Sequence, residues 1–486
     1  MPELITSNQI DEIKRRSISG VVALTSRTFM LQIIALIATF ILTVLLDPAT
    51  FGIFYVVTAI INFLNYFSDI GLAAALIQKK DEPSNEDLAT TFTIQQLLVT
   101  SAVLVVLFLS AMIARFYKLD INGLFLLRAL ALAFFLSSLK TIPSVLLERK
   151  LDFQKLVVPQ IVETSVFYVT AIVLAYKHFG VASFAWAAIL RGISGTAMLY
   201  LIAPWQPILH VSIKSAKRLL AFGIPYQANS FLALVKDDLL TIYLGRMLPF
   251  AAIGYIGWSK KWAEVALRLI MDNIIKVTFP TYARLQRDEA LLSKAAGKSI
   301  LFLAITTLPI AIGMVFMVDP LVHVVPKYLK WMPALFSFYL FTFSGVLAAF
   351  SSPLVNLLNA MGKVRYTFYL MIVWTTLTWI IVPFTVKLFG FDGVAIAAIG
   401  ISITSFLPYI FLRRILPLGT LKIFIKPLIA TGSMASVLLM TFIILPDPKW
   451  RLSIGIPLGI GVYGLMVYGL LKDELMPYVS ILRKSA

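Results

Sequence analysis

Cysteine is absent from this 486-residue chain. There is accordingly no disulfide framework, no thiolate metal site and no thiol nucleophile. Histidine is scarce: His178, His210 and His323 stand far apart, which argues against a His-built metal centre. No nucleotide-binding P-loop, HExxH, GxSxG or kinase motif set occurs, so no ATP hydrolysis, catalytic residue or cofactor is expected and the chain does not read as an enzyme. Charged residues make up only 14% of the chain, against roughly 25% in soluble domains.

What fills the chain is apolar. Hydrophobic residues account for 59% and the mean hydropathy is +0.90. A soluble fold cannot hide that much apolar surface, so an all-α integral membrane protein is expected. Fourteen apolar runs of spanning length emerge, about 20 residues each. They are helical, because a lone segment in lipid must satisfy its own backbone hydrogen bonds. The first run, about 20–46, is too long for the core of a cleaved signal peptide. The alternating ten-residue strands of a membrane β-barrel are missing.

The formal net charge of +18 would suggest nucleic acid in a soluble chain. In a membrane protein it reads as topology, with lysine and arginine collecting on the cytoplasmic side. With the N-terminus inside, 24 of the 42 Lys and Arg fall in inside loops and 9 in outside loops. That asymmetry predicts an even number of spans, both termini cytoplasmic, and no nucleic-acid partner.

An internal repeat is visible. The run Lys177–Ile189 matches Lys387–Ile399 at seven of thirteen positions, at an offset of 210. Pro143 and Pro353 share that offset, and Leu46 and Gly52 match Leu248 and Gly254 at 202. The expected organisation is therefore two pseudo-symmetric six-helix lobes, 1–203 and 204–412, followed by a C-terminal helix pair and tail at 413–486. Six spans per copy make the repeat parallel, and transporters built this way hold their ligand between the halves.

Charges inside spans cost about 2.5–3.5 kcal/mol each on insertion scales, so each needs a partner or a ligand. Folding neighbouring spans as hairpins sets Arg27 level with Asp69, Lys140 level with Glu163, and Lys236, Asp237 and Asp238 level with Lys260 and Lys261. Span eight carries Lys260, Glu264, Arg268, Asp272 and Lys276 at four-residue steps, a ladder along one helix face. It either neutralises itself or walls a polar cavity. Nine cations against six anions lie within the spans, which favours an anionic ligand such as a phosphate. Phe222-Gly-Ile-Pro225, at the start of span seven, is the expected helix break.

Four stretches carry a resemblance. They are Asp47–Tyr55, Ser68–Lys80, Leu146–Phe153, and the set running from Phe222-Gly-Ile-Pro225 through Gly245 and Gly254-Tyr255 to Phe279–Arg284. Together they resemble the polysaccharide (Wzx-type) flippases of the MOP exporter superfamily. The resemblance implies twelve core helices plus two C-terminal ones in a bacterial cytoplasmic membrane. It implies alternating access through a cationic cavity, and export of a polyprenyl-pyrophosphate-linked oligosaccharide beside the glycan polymerase and glycosyltransferases of the same pathway. Site residues are not carried over from the family. From the charge argument, Arg27, Lys260, Lys261 and Arg268 are expected to hold the pyrophosphate, with Asp237 and Asp238, then Glu163 and Glu264, as candidates for coupling to an ion. Rival readings are an ion-coupled multidrug exporter, a lipid II flippase and a membrane glycan polymerase. The first would prefer acidic and aromatic walls, and the last needs larger outer loops.

Overall fold

The computed structural model describes residues 28–417 and 421–485. All regular structure among them is helical. The first helix, α1, is Thr28–Leu45. Then follow α2 (Pro48–Asp69), α3 (Leu72–Gln78), α4 (Asn85–Tyr117), α5 (Ile121–Ser138), α6 (Thr141–Arg149), α7 (Phe153–Tyr176) and α8 (Ala182–Ile202). Next, α9 (Ile213–Leu234) runs through a π-helical turn (Val235–Leu239) into α10 (Leu240–Met247). The rest are α11 (Phe250–Leu285), α12 (Glu289–Val324), α13 (Leu335–Ala360), α14 (Val364–Phe389), α15 (Asp392–Ile403), α16 (Leu407–Arg413), α17 (Ile425–Ile444) and α18 (Pro448–Ser485).

Local chemistry explains several boundaries. Pro48 opens α2, where its missing N–H costs nothing. Ser84 and Asp87 form a capping box at the start of α4: each side chain accepts from the other's backbone N–H. Asp120 and Asp288 cap α5 and α12 by accepting from Gly123 and Leu291 N–H.

Among the described residues, twelve helical segments are long and apolar enough to cross a membrane. The stretch from α9 to α10 and helix α11 are not among them, although α11 has 36 residues and would reach about 54 Å at 1.5 Å per residue. Charge disqualifies α11, where the ladder puts more than two charges in any spanning window, and the α9–α10 stretch carries Lys236, Asp237 and Asp238. Twelve such segments are therefore observed among the described residues where fourteen were expected, expected spans seven and eight being the difference.

Three expected runs are broken. The run 49–77 divides at Ile70-Gly71, both at positive φ. The run 123–147 divides at Leu139-Lys140, between α5 and α6, and the run 391–412 divides at a short 3₁₀ turn between α15 and α16. The break expected at Phe222-Gly-Ile-Pro225 does not occur. Helix α9 continues past Pro225, and the irregularity falls ten residues later, at the π-turn. Packing supplies the reason. Gly223 lies so close to the Ile70–Gly71 turn that a Cβ there would sit 2.6 Å from the Ile70 carbonyl. Tertiary contact of this kind overrides the local cost of proline.

Close contacts divide the chain into two compact units, one up to Gly254 and one from Tyr255. In the first, α7 packs on α8, α5 on α8, α2 on α4 and α5, and α9 on α3 and α4. In the second, α13 packs on α12 and α15, α14 on α15, and α17 and α18 on each other and on α12. The second unit holds an aromatic core in which Trp258 stacks on Trp331 at 5.4 Å. The indole N–H of Trp258 donates to Tyr328 Oη at 3.2 Å.

The repeat has a structural counterpart. Helices α8 and α15 begin 210 residues apart, at Ala182 and Asp392. Each follows a glycine at positive φ, Gly180 at 56° and Gly390 at 61°. Helices α2 and α11 begin 202 apart, at Pro48 and Phe250. A Cβ on Gly52 would collide with the backbone of Phe250, and one on Gly254 with the backbone of Pro48. Since Pro48 and Phe250 are themselves 202 apart, each helix start meets the other reciprocally.

Candidate functional site: a polar cavity and a charged helix face

On α2, Asn62, Asn65 and Tyr66 recur at helical spacing in an otherwise apolar sequence. Asn62 and Asn65 are exposed and Tyr66 is half-buried. Facing them are Gln227 on α9 and the π-turn carrying Asp237 and Asp238. Together they line a cavity of about 420 Å³, with Ala233 and Leu234 as its apolar part. Asn62 Nδ2 donates to Asp238 Oδ1 at 3.1 Å. Tyr66 Oη donates to the Gln227 carbonyl at 2.8 Å, and Gln227 Nε2 returns a bond to the Tyr66 carbonyl at 3.4 Å. The Phe231 ring lies 5.6 Å from that of Tyr66.

The π-turn sets the geometry of the two acids. One extra residue per turn re-aims the side chains that follow it, and such turns are frequent at functional sites. The Asp237 carbonyl accepts from Leu240 N–H and, at 2.8 Å, from Thr241 Oγ1, so the widened turn leaves no orphaned carbonyl there.

The ladder on α11 keeps its predicted face. Ala263 and Leu267 are buried, while Lys261, Arg268, Asp272 and Lys276 are exposed and Lys260 and Glu264 half-buried. Arg268 pairs with Glu264 at 2.7 Å, and its side chain remains 65% exposed. Turning the ladder's three exposed charges, Arg268, Asp272 and Lys276, to lipid would cost on the order of 10 kcal/mol. An exposed (i, i+4) pair returns only about 0.3–0.5 kcal/mol. The face is therefore unsuited to lipid contact.

Glu163 stands apart. It is buried and forms an ion pair with Lys140, and Arg191 lies 3.8 Å from its other oxygen. Hairpin registry predicted the Lys140 partner; Arg191, from α8, was not foreseen. Replacing Lys140 with Met should strand Glu163 and cost about 3 kcal/mol, the low end of the range for a broken buried pair because Arg191 compensates in part. The further change Glu163→Leu should restore most of the loss. Thermal melting of detergent-purified protein measures both, and a Lys140→Met protein as stable as wild type would refute the argument.

Of the expected site residues, Asp237 and Asp238 share the cavity in the first unit, and Lys260, Lys261, Glu264 and Arg268 share one helix in the second. Arg27 lies outside the described residues, as does the side chain of its expected partner Asp69. Asn62, Asn65, Tyr66 and Gln227 escaped a reading that weighed only formal charge. The available signal was polar amides at helical spacing within an apolar run. By the 202-residue offset, Asn62 corresponds to Glu264 and Tyr66 to Arg268. Asn65 corresponds to the buried Leu267, so the two faces overlap only in part and differ in chemistry, one amide and phenol, the other ionic.

The motifs behind the family resemblance mostly do structural work. Arg149 caps α3, donating to the carbonyls of Leu76, Ile77 and Lys79 at 2.7, 3.1 and 2.7 Å and to that of Asp81 at 3.0 Å. Glycines 52, 71, 223 and 254 permit backbone approach.

Helices of this number and composition define a multi-pass α-helical membrane protein. The model of the family described as "polysaccharide biosynthesis protein" matches residues 41–335, and the chain belongs to that family. Among its relatives, the teichuronic acid biosynthesis protein TuaB of Bacillus subtilis is 24% identical over 319 residues, 63% of each chain. The lipopolysaccharide biosynthesis protein WzxC of Escherichia coli is 25% identical over 366 residues, 73% of this chain and 72% of its own. The match thus spans less than two thirds of the first relative's length. Among solved structures, the lipid II flippase MurJ in an inward closed conformation superposes with a TM-score of 0.75 at 16% identity, covering 93% of this chain and all of that one. That likeness establishes the fold.

Proposed function

We propose that this protein flips a polyprenyl-pyrophosphate-linked oligosaccharide from the cytoplasmic to the outer leaflet of a bacterial cytoplasmic membrane. Both termini lie in the cytoplasm. The lobes are 1–203 and 204–412, with 413–486 appended, and access alternates between the two sides. Lys260, Lys261 and Arg268 hold the pyrophosphate while the lipid tail stays in the bilayer. A glycan polymerase and glycosyltransferases of the same pathway act on the cargo before and after it crosses.

The observation that carries this reading is the exposed charge ladder of α11, within a helix of spanning length. Charges within a membrane protein face a bundle interior or a water-filled cavity, where they commonly mark the path of a polar ligand. The relatives' names, which concern teichuronic acid and lipopolysaccharide, support a glycan as that cargo. In proteoliposomes loaded with a defined lipid-linked oligosaccharide, the combined Lys260→Ala, Lys261→Ala, Arg268→Ala variant should flip at least tenfold more slowly than wild type, with unchanged reconstitution. Flipping at the wild-type rate would dismiss the ladder as a ligand site.

A further inference from the structure

We infer that the cavity between α2 and the π-turn is a sugar subsite: Asn62, Asn65, Gln227 and Asp238 bind glycan hydroxyls, and Tyr66 offers a ring for the pyranose face. The inference rests on the proposed function and adds the part of the cargo each copy of the repeat recognises.

Three observations lead there. The first is size. One water needs about 10–15 Å³ of such space, and a bare cation is no larger, whereas the cavity holds about 420 Å³. That falls within the roughly 300–1,000 Å³ of small-molecule sites.

The second is chemistry. A hydroxyl both donates and accepts, so a wall for sugars must do both. Carboxamides present two N–H donors and a carbonyl acceptor, and a carboxylate only accepts. Asn62 donates to Asp238 at 3.1 Å, and Asn65 Oδ1 lies 3.4 Å from the Ser68 hydroxyl. These contacts pre-orient the amides and leave further donor and acceptor positions on the same groups. The Tyr66 and Phe231 rings add an apolar surface.

The third is the repeat. The equivalent face of the second copy carries Glu264 and Arg268 in place of Asn62 and Tyr66. The two faces thus fit different ligand chemistry, the ionic one a phosphate and the amide one a neutral polyhydroxylated group. Among the described residues, no cation lines the amide one.

The test uses the full chain in lipid nanodiscs and two kinds of probe, farnesyl pyrophosphate and a panel of farnesyl-pyrophosphate-linked monosaccharides. Wild type should bind at least one sugar-bearing probe more tightly than the bare one. Asn62→Leu combined with Asn65→Leu should weaken that probe about tenfold or more, since each lost hydrogen bond is worth roughly a factor of 2–10. Binding of farnesyl pyrophosphate should stay the same. Should the double variant fail to fold, Asn62→Ser and Gln227→Ala, made singly, carry the same comparison with smaller shifts. Equal weakening of both probes overturns the inference, as does a sugar preference that survives in the variants. Loss of sodium-dependent stabilisation with the sugar preference intact assigns the cavity to an ion and also overturns it. If wild type binds no pyrophosphate probe at all, the proposed function falls first and the subsite with it. That failure differs from a wild type that binds the pyrophosphate but ignores the sugar, which overturns the subsite alone.

Discussion

Asp87→Ala should lower the stability of the protein by about 3 kcal/mol, more than any exposed charge substitution. Asp87 has no exposed side-chain surface. It accepts from Lys79 Nζ at 2.6 Å, from the Arg218 guanidinium, and from Ser84 N–H at 3.1 Å. One carboxylate thus joins the end of α3, the start of α4 and the start of α9. Removing one member of a buried pair strands the other and costs about 3–5 kcal/mol; losing an N-cap contact adds about 1. The lower total expected here reflects Arg218, whose side chain is 52% exposed and rehydrates. Lys79, at 15%, does not. Arg218→Ala should accordingly cost much less than Asp87→Ala, and Asp87→Asn should fall between them by keeping the cap. Melting temperatures of the three purified variants give the order. An Asp87→Ala protein that melts with wild type would show that the network does not hold these helices.

Gly52→Ala and Gly254→Ala should each destabilise the protein, by about 1–3 kcal/mol or more. The added Cβ meets backbone in both cases, Phe250 or Pro48, and no change of rotamer relieves a clash with backbone. The double variant is the sharper test. Both clashes lie in one reciprocal contact, so moving the helix starts apart for the first substitution makes room for the second. The combined loss should be close to the larger single loss, where independent sites would add. Additive losses, measured by yield and melting temperature, would mean that the two glycines pack separately.

Sequence alone determined the class of molecule. Long apolar runs with little charge can fold only as membrane helices, because lipid leaves the backbone no other partner. The matching runs Lys177–Ile189 and Lys387–Ile399 share Gly180 and Gly390, which take a backbone conformation that other residues avoid. Similarly, the Lys140–Glu163 pair followed from hairpin registry, and the α11 ladder from four-residue spacing, since both depend on distances along a helix.

Tertiary structure decided the rest. Where the chain bends within spans, at Ile70-Gly71 and at Leu139-Lys140, depends on neighbours that local propensity cannot see. Pro225 stays inside a helix because α9 packs on α3 through Gly223. Arg149 and Asp87 looked like loop charges until the fold brought carbonyls to the one and two cations to the other. The cavity belongs to the same group. Asn62 on α2 and Asp238 in the π-turn are 176 residues apart, and neither residue type nor spacing joins them. Only the packing of α2 against the widened turn turns scattered polar side chains into a single wall.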